Sequence, residues 1–147
     1  MKRLRSLTLD SNIFISEVKG DETYSDECGA LISRIGVNFF LVEPALVLTE
    51  VGNAVGRNIN LKAAEEEVDA LLRMISVLIP CDKGFCVKAG LTGVEYDVYS
   101  ADSLYLQAAI SFKSVLVSLD EEFINKIKAK EPPIEVYHVK DFPYQQS

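Results

Sequence analysis

Val115-Leu116-Val117-Ser118-Leu119-Asp120 reads as a short apolar strand that runs straight into an acid. The run lacks the apolar–polar alternation of a strand with one wet face. It suits a strand buried on both faces, as in a parallel sheet covered by helices. Working outward, Ser100 can cap a helix that continues through Asp102, Leu104, Tyr105, Ala108 and Ala109 to Phe112. On the other side, Glu121 to Lys128 is a short helix stopped by Pro132-Pro133, and Glu135 to Val139 forms a last strand.

The remainder keeps this rhythm. Leu7-Thr8-Leu9-Asp10 is a strand ending at an acid, and Ser11 and Asn12 supply turn or capping chemistry. Gly20 to Thr23 is a loop. Ser25 opens a helix with Cys28, Leu31, Ile32 and Ile35 at helical spacing, stopped near Gly36. Phe39-Phe40-Leu41-Val42 is a strand, and Pro44 suits the first turn of a helix. Leu46, Val47, Val51, Val55 and Ile59 carry that helix past Glu50. Leu61 to Met74 is another, its Glu65-Glu66-Glu67 run forming a solvated face. Val77-Leu78-Ile79-Pro80 is a strand, and Lys83 to Leu91 is a helix ending at Gly93. No repeat or linker interrupts the alternation, and 147 residues suit one domain. The expected fold is a three-layer α/β/α sandwich with a mostly parallel central sheet.

Composition narrows the function classes. Hydrophobic residues make up 48% and charged residues 25%, the balance of a globular chain. No stretch approaches the roughly 20 apolar residues of a membrane helix. The apolar run after the basic start Met1-Lys2-Arg3-Leu4-Arg5 is broken by Asp10, so no signal peptide is expected and the cytoplasm is the expected location. Cys28, Cys81 and Cys86 leave at least one cysteine unpaired, suggest no disulfide framework, form no zinc spacing, and are read as structural. The lone His138 argues against Ser-His-Asp or Cys-His catalysis and is read as a packing residue. Gly84, Gly90 and Gly93 fit no phosphate-binding loop. A net charge of −7 weighs against non-specific nucleic-acid binding, although a cation held by acids reverses the local sign.

Parallel sheets place their sites beyond the carboxyl ends of the strands. Asp10 and Asp120 each follow a strand, Asp102 lies in the first turn of the helix before the fourth strand, and Glu50 can reach back from its helix. Gathered carboxylates repel one another and raise each other's pKa, so a cation between them is the natural reason to gather them. Hard oxygen donors suit magnesium or manganese, which activate water for phosphodiester hydrolysis. Each acid also has a local explanation, since Asp serves turns and helix starts and Glu serves helix surfaces.

The local contexts carry a resemblance. Leu9-Asp10-Ser11-Asn12-Ile13-Phe14, Leu48-Thr49-Glu50-Val51-Gly52-Asn53-Ala54, Ser100-Ala101-Asp102-Ser103-Leu104-Tyr105-Leu106-Gln107-Ala108-Ala109 and Val117-Ser118-Leu119-Asp120-Glu121-Glu122-Phe123 resemble, in order, the four acidic motifs of PIN domains. Gln107 and Ser118 stand where Ala and Thr are more usual, and neither change removes an acid. In length and layout the chain is similar to VapC-like toxins of bacteria and archaea. The resemblance implies a magnesium- or manganese-dependent endoribonuclease in which Asp10, Glu50, Asp102 and Asp120 bind metal directly or through water. Ser11, Asn12 and Ser118 would orient them, with capping or turn formation as their plainer role. It further implies a homodimer and a small antitoxin protein over the site.

Other readings account for less. A phosphorylated receiver domain would place acids at strand ends too, and Asp82 and Lys140 lie near where its acceptor and lysine belong. It requires an acidic pair after the first strand, yet Asp10 stands between Leu9 and Ser11. A haloacid-dehalogenase-type phosphatase requires a second Asp where Asn12 stands. The main alternative is a catalytically silent PIN-fold module binding RNA or protein. Arg3, Arg5, Arg34, Arg57, Lys62 and Lys113 are candidate RNA contacts but are scattered. Tyr96 and Tyr99 can stack on a base, against a plainer reading as packing residues.

Overall fold

The computed structural model describes residues 3–143. Five strands form one sheet: β1 (Arg5–Leu9), β2 (Phe39–Pro44), β3 (Ile75–Ile79), β4 (Val115–Ser118) and β5 (Val136–His138). Their order is β3-β2-β1-β4-β5, and every pairing is parallel. The sheet is thus wholly parallel, as the apolar runs require. Between strands run α1 (Ser11–Lys19), α2 (Ser25–Ile32), α3 (Leu46–Asn58), α4 (Leu61–Met74), α5 (Lys83–Tyr96), α6 (Ser100–Phe112) and α7 (Glu121–Lys128).

Right-handed crossovers fix the layers. The steps from β1 to β2 to β3 move one way and put α1 to α4 on one face. The return to β4 and on to β5 reverses direction and puts α5 to α7 on the other, with α5 packed on α6 and α3 on α4. Leu7, Leu9, Leu41, Leu116 and Val117 are fully buried between these layers. The reversal falls between β1 and β4, so their carboxyl ends open onto the crevice where Asp10 and Asp120 begin. No helix among the described residues is long and apolar enough to cross a membrane.

Several local expectations are corrected. Ser11 and Asn12 open α1 itself rather than a turn, because Asp10 already stands at the N-cap position. Pro44 ends β2 instead of starting α3. Its missing N–H is harmless there, since the β1–β2 register stops at Leu41 and Ala45 N–H takes over the bond to Ile79 O at 2.8 Å. Tyr99, not Ser100, is the residue before α6. α5 runs past Gly93 to Tyr96 and ends with Asp97 in the left-handed region at φ 58°. After α2 the chain turns through Gly36 at φ 87°, a conformation natural to glycine. The final strand is shorter than expected, because Val139–Asp141 forms a 3-10 turn.

The acidic run on α4 is not wholly solvated. Glu67 is half-buried near Glu17, and burial pushes its pKa up to about 7. Cys28 packs in the core, whereas Cys81 and Cys86 are exposed.

Candidate functional site

The first acid is set by the end of β1. Asp10 N–H donates to Val117 O at 3.0 Å, which continues the β1–β4 ladder by one residue. Its side chain is nearly buried, and Oδ2 accepts from Ser118 Oγ at 2.7 Å and from Asn12 Nδ2 at 3.3 Å. Burial pushes the Asp10 pKa up to about 7 against the pull of Ser118, with Asp102 and Glu50 pushing the same way.

Ser118 serves two acids. The same hydroxyl accepts from Asp120 N–H at 3.0 Å and from Asn12 Nδ2 at 3.2 Å. Asn12 Oδ1 in turn accepts from Leu119 N–H at 3.2 Å, locking α1 to the end of β4. Asp120 caps α7 by accepting from Phe123 N–H at 3.1 Å through Oδ1. Asn12 and Ser118 therefore hold positions suited to orienting the acids. The Ser11 hydroxyl bonds to none of them, and only its backbone supports the Asp10 carboxylate.

The other two acids face the first pair. Glu50 Oε1 accepts from Tyr105 Oη at 2.6 Å, a bond from α6 to α3 across the sheet end. Asp102 is raised to about 6 by burial, then by Asp120 and Glu50, with Lys126 pulling it down. Each acid thus lies in the field of at least one other. Among the described residues no group of three Asp, Glu, His or Cys side chains stands close enough to hold a metal ion as it is. The donor set is nevertheless all hard oxygen, and among the described residues no side chain occupies the second oxygen of Asp10, Glu50 or Asp120. Such a set suits an ion that keeps much of its water, as magnesium does.

Beneath the site lies a residue that the sequence reading passed over. Glu43 is fully buried in β2, and its Oε2 accepts from Leu9 N–H at 2.8 Å. Its Oε1 has no hydrogen-bond partner among the described residues. Burial raises its pKa well above the ordinary carboxylate range, with the Asp10 charge adding to the effect. The signal was present as a lone charge inside the apolar run Phe39-Phe40-Leu41-Val42-Glu43-Pro44. Lys126 was also passed over. It is the cation acting on Asp102, whereas Arg5 pairs with Glu135 at the far end of β1 and Arg57 bonds to Asn53.

The remaining expectations fall as follows. His138 is buried, accepts from Lys140 N–H at Nδ1, and so carries its proton on Nε2 toward Leu119 O at 3.0 Å. With the edge of Tyr24 packed on it, this histidine is structural, as expected. Tyr96 is buried, but Tyr99 is 75% exposed and packs into no core. A hollow of about 200 Å3 lies at the opposite end of the sheet, between Arg5, Phe39, Val115, Tyr137 and Phe142, away from the four acids.

Known structures share this architecture. VapBC2 from Rickettsia felis, solved bound to a DNA fragment from their promoter, matches with a TM-score of 0.67 at 17% identity, over 90% of this chain and 98% of that one. VapBC-1 from nontypeable Haemophilus influenzae matches with a TM-score of 0.66 at 17% identity, over 92% and 99%. FitAcB from Neisseria gonorrhoeae matches with a TM-score of 0.65 at 13% identity, over 93% and 99%. At such identities the likeness concerns the fold. No functionally curated protein matches the sequence. The sequence profile of the PIN domain matches residues 7–129, which include all four acids. The chain belongs to the PIN domain family.

Proposed function

We propose that the protein is a metal-dependent endoribonuclease, the toxin of a VapBC-type toxin–antitoxin pair. The observation that carries this reading is that Asp10, Glu50, Asp102 and Asp120 lie in one another's electrostatic field, with Asp10, Glu50 and Asp120 each held through one of its own oxygens. Two of those acids have pKa values raised to about 7 and about 6, by burial first and by the neighbouring acids after it.

Magnesium or manganese, when bound, lowers the pKa of a coordinated water and stabilises charge on the scissile phosphate. The protein's own part is to aim and hold. Ser118 and Asn12 fix Asp10, Tyr105 fixes Glu50, and the start of α7 fixes Asp120. Fixed ligands lose less freedom on taking up the ion and the phosphate. Asp10, raised to about 7 by burial, would give up its proton on taking up the ion.

The partners follow the same reading. A homodimer would cover the apolar stripe of Val87, Leu91 and Val94, spaced along one side of α5 and 57%, 69% and 81% exposed. An antitoxin would close the acidic edge. Cytoplasmic RNA is the proposed substrate.

The test is cleavage of a mixed panel of labelled RNAs in manganese, in magnesium and in EDTA, beside Asp10→Asn. Cleavage by the wild type alone, and only with metal, is the expected result. Inert wild type that also fails to bind manganese by calorimetry would sink the proposal and leave a catalytically silent PIN-fold module that binds RNA or protein.

A further inference from the structure

Tyr99 stands immediately before α6 and is 75% exposed. A single exposed aromatic is ordinary on a protein surface. The surroundings of this one are not. Its ring lines the same small cleft as Asp102 and Asp120, together with Phe123 and Lys126. Lys126 Nζ lies over the ring, 5.6 Å from its centroid. That ammonium is steadied by Asp97 at 3.7 Å and Glu122 at 3.4 Å, and it acts on the charge of Asp102. A flat apolar surface and a cation therefore border two of the four acids.

The cleft itself holds about 20 Å3, room for a water and not for a base. A planar group must lie on the rim, against the exposed ring. We propose that Tyr99 is a stacking platform for an unpaired RNA base beside the scissile phosphate, with Lys126 meeting the adjoining backbone. The inference rests on the ribonuclease reading of the acidic site and specifies how its substrate is held.

Charge explains why stacking would matter here. A chain of net charge −7 has little to attract phosphate along an extended strand. Stacking on an aromatic face requires no positive charge and accepts any base. It does require that the base be free of its partner strand, so a duplex is refused. One lysine beside the platform then suffices to fix the local backbone.

The test uses the full chain and short RNAs with an end label and 2-aminopurine walked through successive positions. Calcium replaces manganese so that binding is read without cleavage. The expected result is that single-stranded RNA binds and that 2-aminopurine emission is quenched at one or two positions. Tyr99→Ala should weaken binding by about 10-fold and abolish the quench. Tyr99→Phe should keep both, and the same RNA annealed into a duplex should give no quench. Lys126→Ala should reduce the salt dependence of binding by about one phosphate contact. The platform is overturned if no position is quenched, if Tyr99→Ala binds and quenches like the wild type, or if the RNA is not bound. Manganese-dependent cleavage by the wild type is read alongside. Cleavage with a silent Tyr99→Ala overturns the platform alone, whereas neither cleavage nor binding overturns the ribonuclease reading as well.

Discussion

Ser118 Oγ donates to Asp10 Oδ2 and accepts from Asp120 N–H, so one hydroxyl ties the first acid to the last. Ser118→Ala should therefore weaken manganese binding by about 10-fold or more, while Ser118→Thr keeps it. Calorimetric titration checks this, and an unchanged affinity would mean that Asp10 needs no such support. Glu43 makes a different prediction. Its pKa is raised in the fold, so the folded protein keeps a proton that the unfolded chain releases near its ordinary value of 4.5. Stability contributed by that proton is lost as pH rises. Glu43→Gln should fall less in stability between pH 5.5 and pH 8 than the wild type does. Glu43→Leu should lose about 1–3 kcal/mol at both, because Leu9 N–H is left without its acceptor. Urea denaturation of the three proteins at both pH values decides it, and equal slopes for wild type and Glu43→Gln would clear Glu43. Residue types near the acids were readable from sequence. Which hydroxyl meets which acid was not, because the Ser118–Asp10 bond spans 108 residues.

At the scale of elements, apolar runs located the strands because burial on both faces leaves few positions for charge. Element ends were less legible. Gly93 looked like a stop, yet it lies inside α5 at the contact with α6. A Cβ there would meet Ser103 Cβ at 3.0 Å and Val98 O at 3.3 Å, so the glycine is needed for close approach. Gly93→Ala should destabilise by about 1–3 kcal/mol, read as a lower urea midpoint with an unchanged slope. No loss would mean that the two helices part easily. α1 was hidden for a related reason. Asp10 is both a helix cap position and a site acid, and a residue with two local explanations reveals neither helix nor site by itself.

For the whole molecule, Asp10, Glu67 and Asp102 are raised to about 7, 7 and 6, and Glu43 is raised too. All four shifts have the same sign. Each acid keeps its proton longer in the fold than in the unfolded chain, so the metal-free protein should lose stability as pH rises from about 5 toward 8. Metal favours the ionised acids and should oppose that loss. Thermal scans with and without manganese should give a larger rise in Tm at pH 7.5 than at pH 5.5. An equal rise at both would separate the metal from these acids. The parallel sheet between helical layers was legible in outline, because strands alternating with helices admit few architectures, whereas the strand order was not read from the sequence. The spacing between the acids was not, since it depends on packing between layers that no local pattern records.

The position of β1 in the middle of the sheet has a consequence in time. Asp10 leaves the ribosome 108 residues ahead of the hydroxyl that orients it. At ordinary rates of translation that interval is on the order of ten seconds. Throughout it the nascent chain carries its first acid without the strand that completes the crevice. The site is complete only once β4 has been made, and a ribosome stalled before β4 holds a product that does not yet possess it.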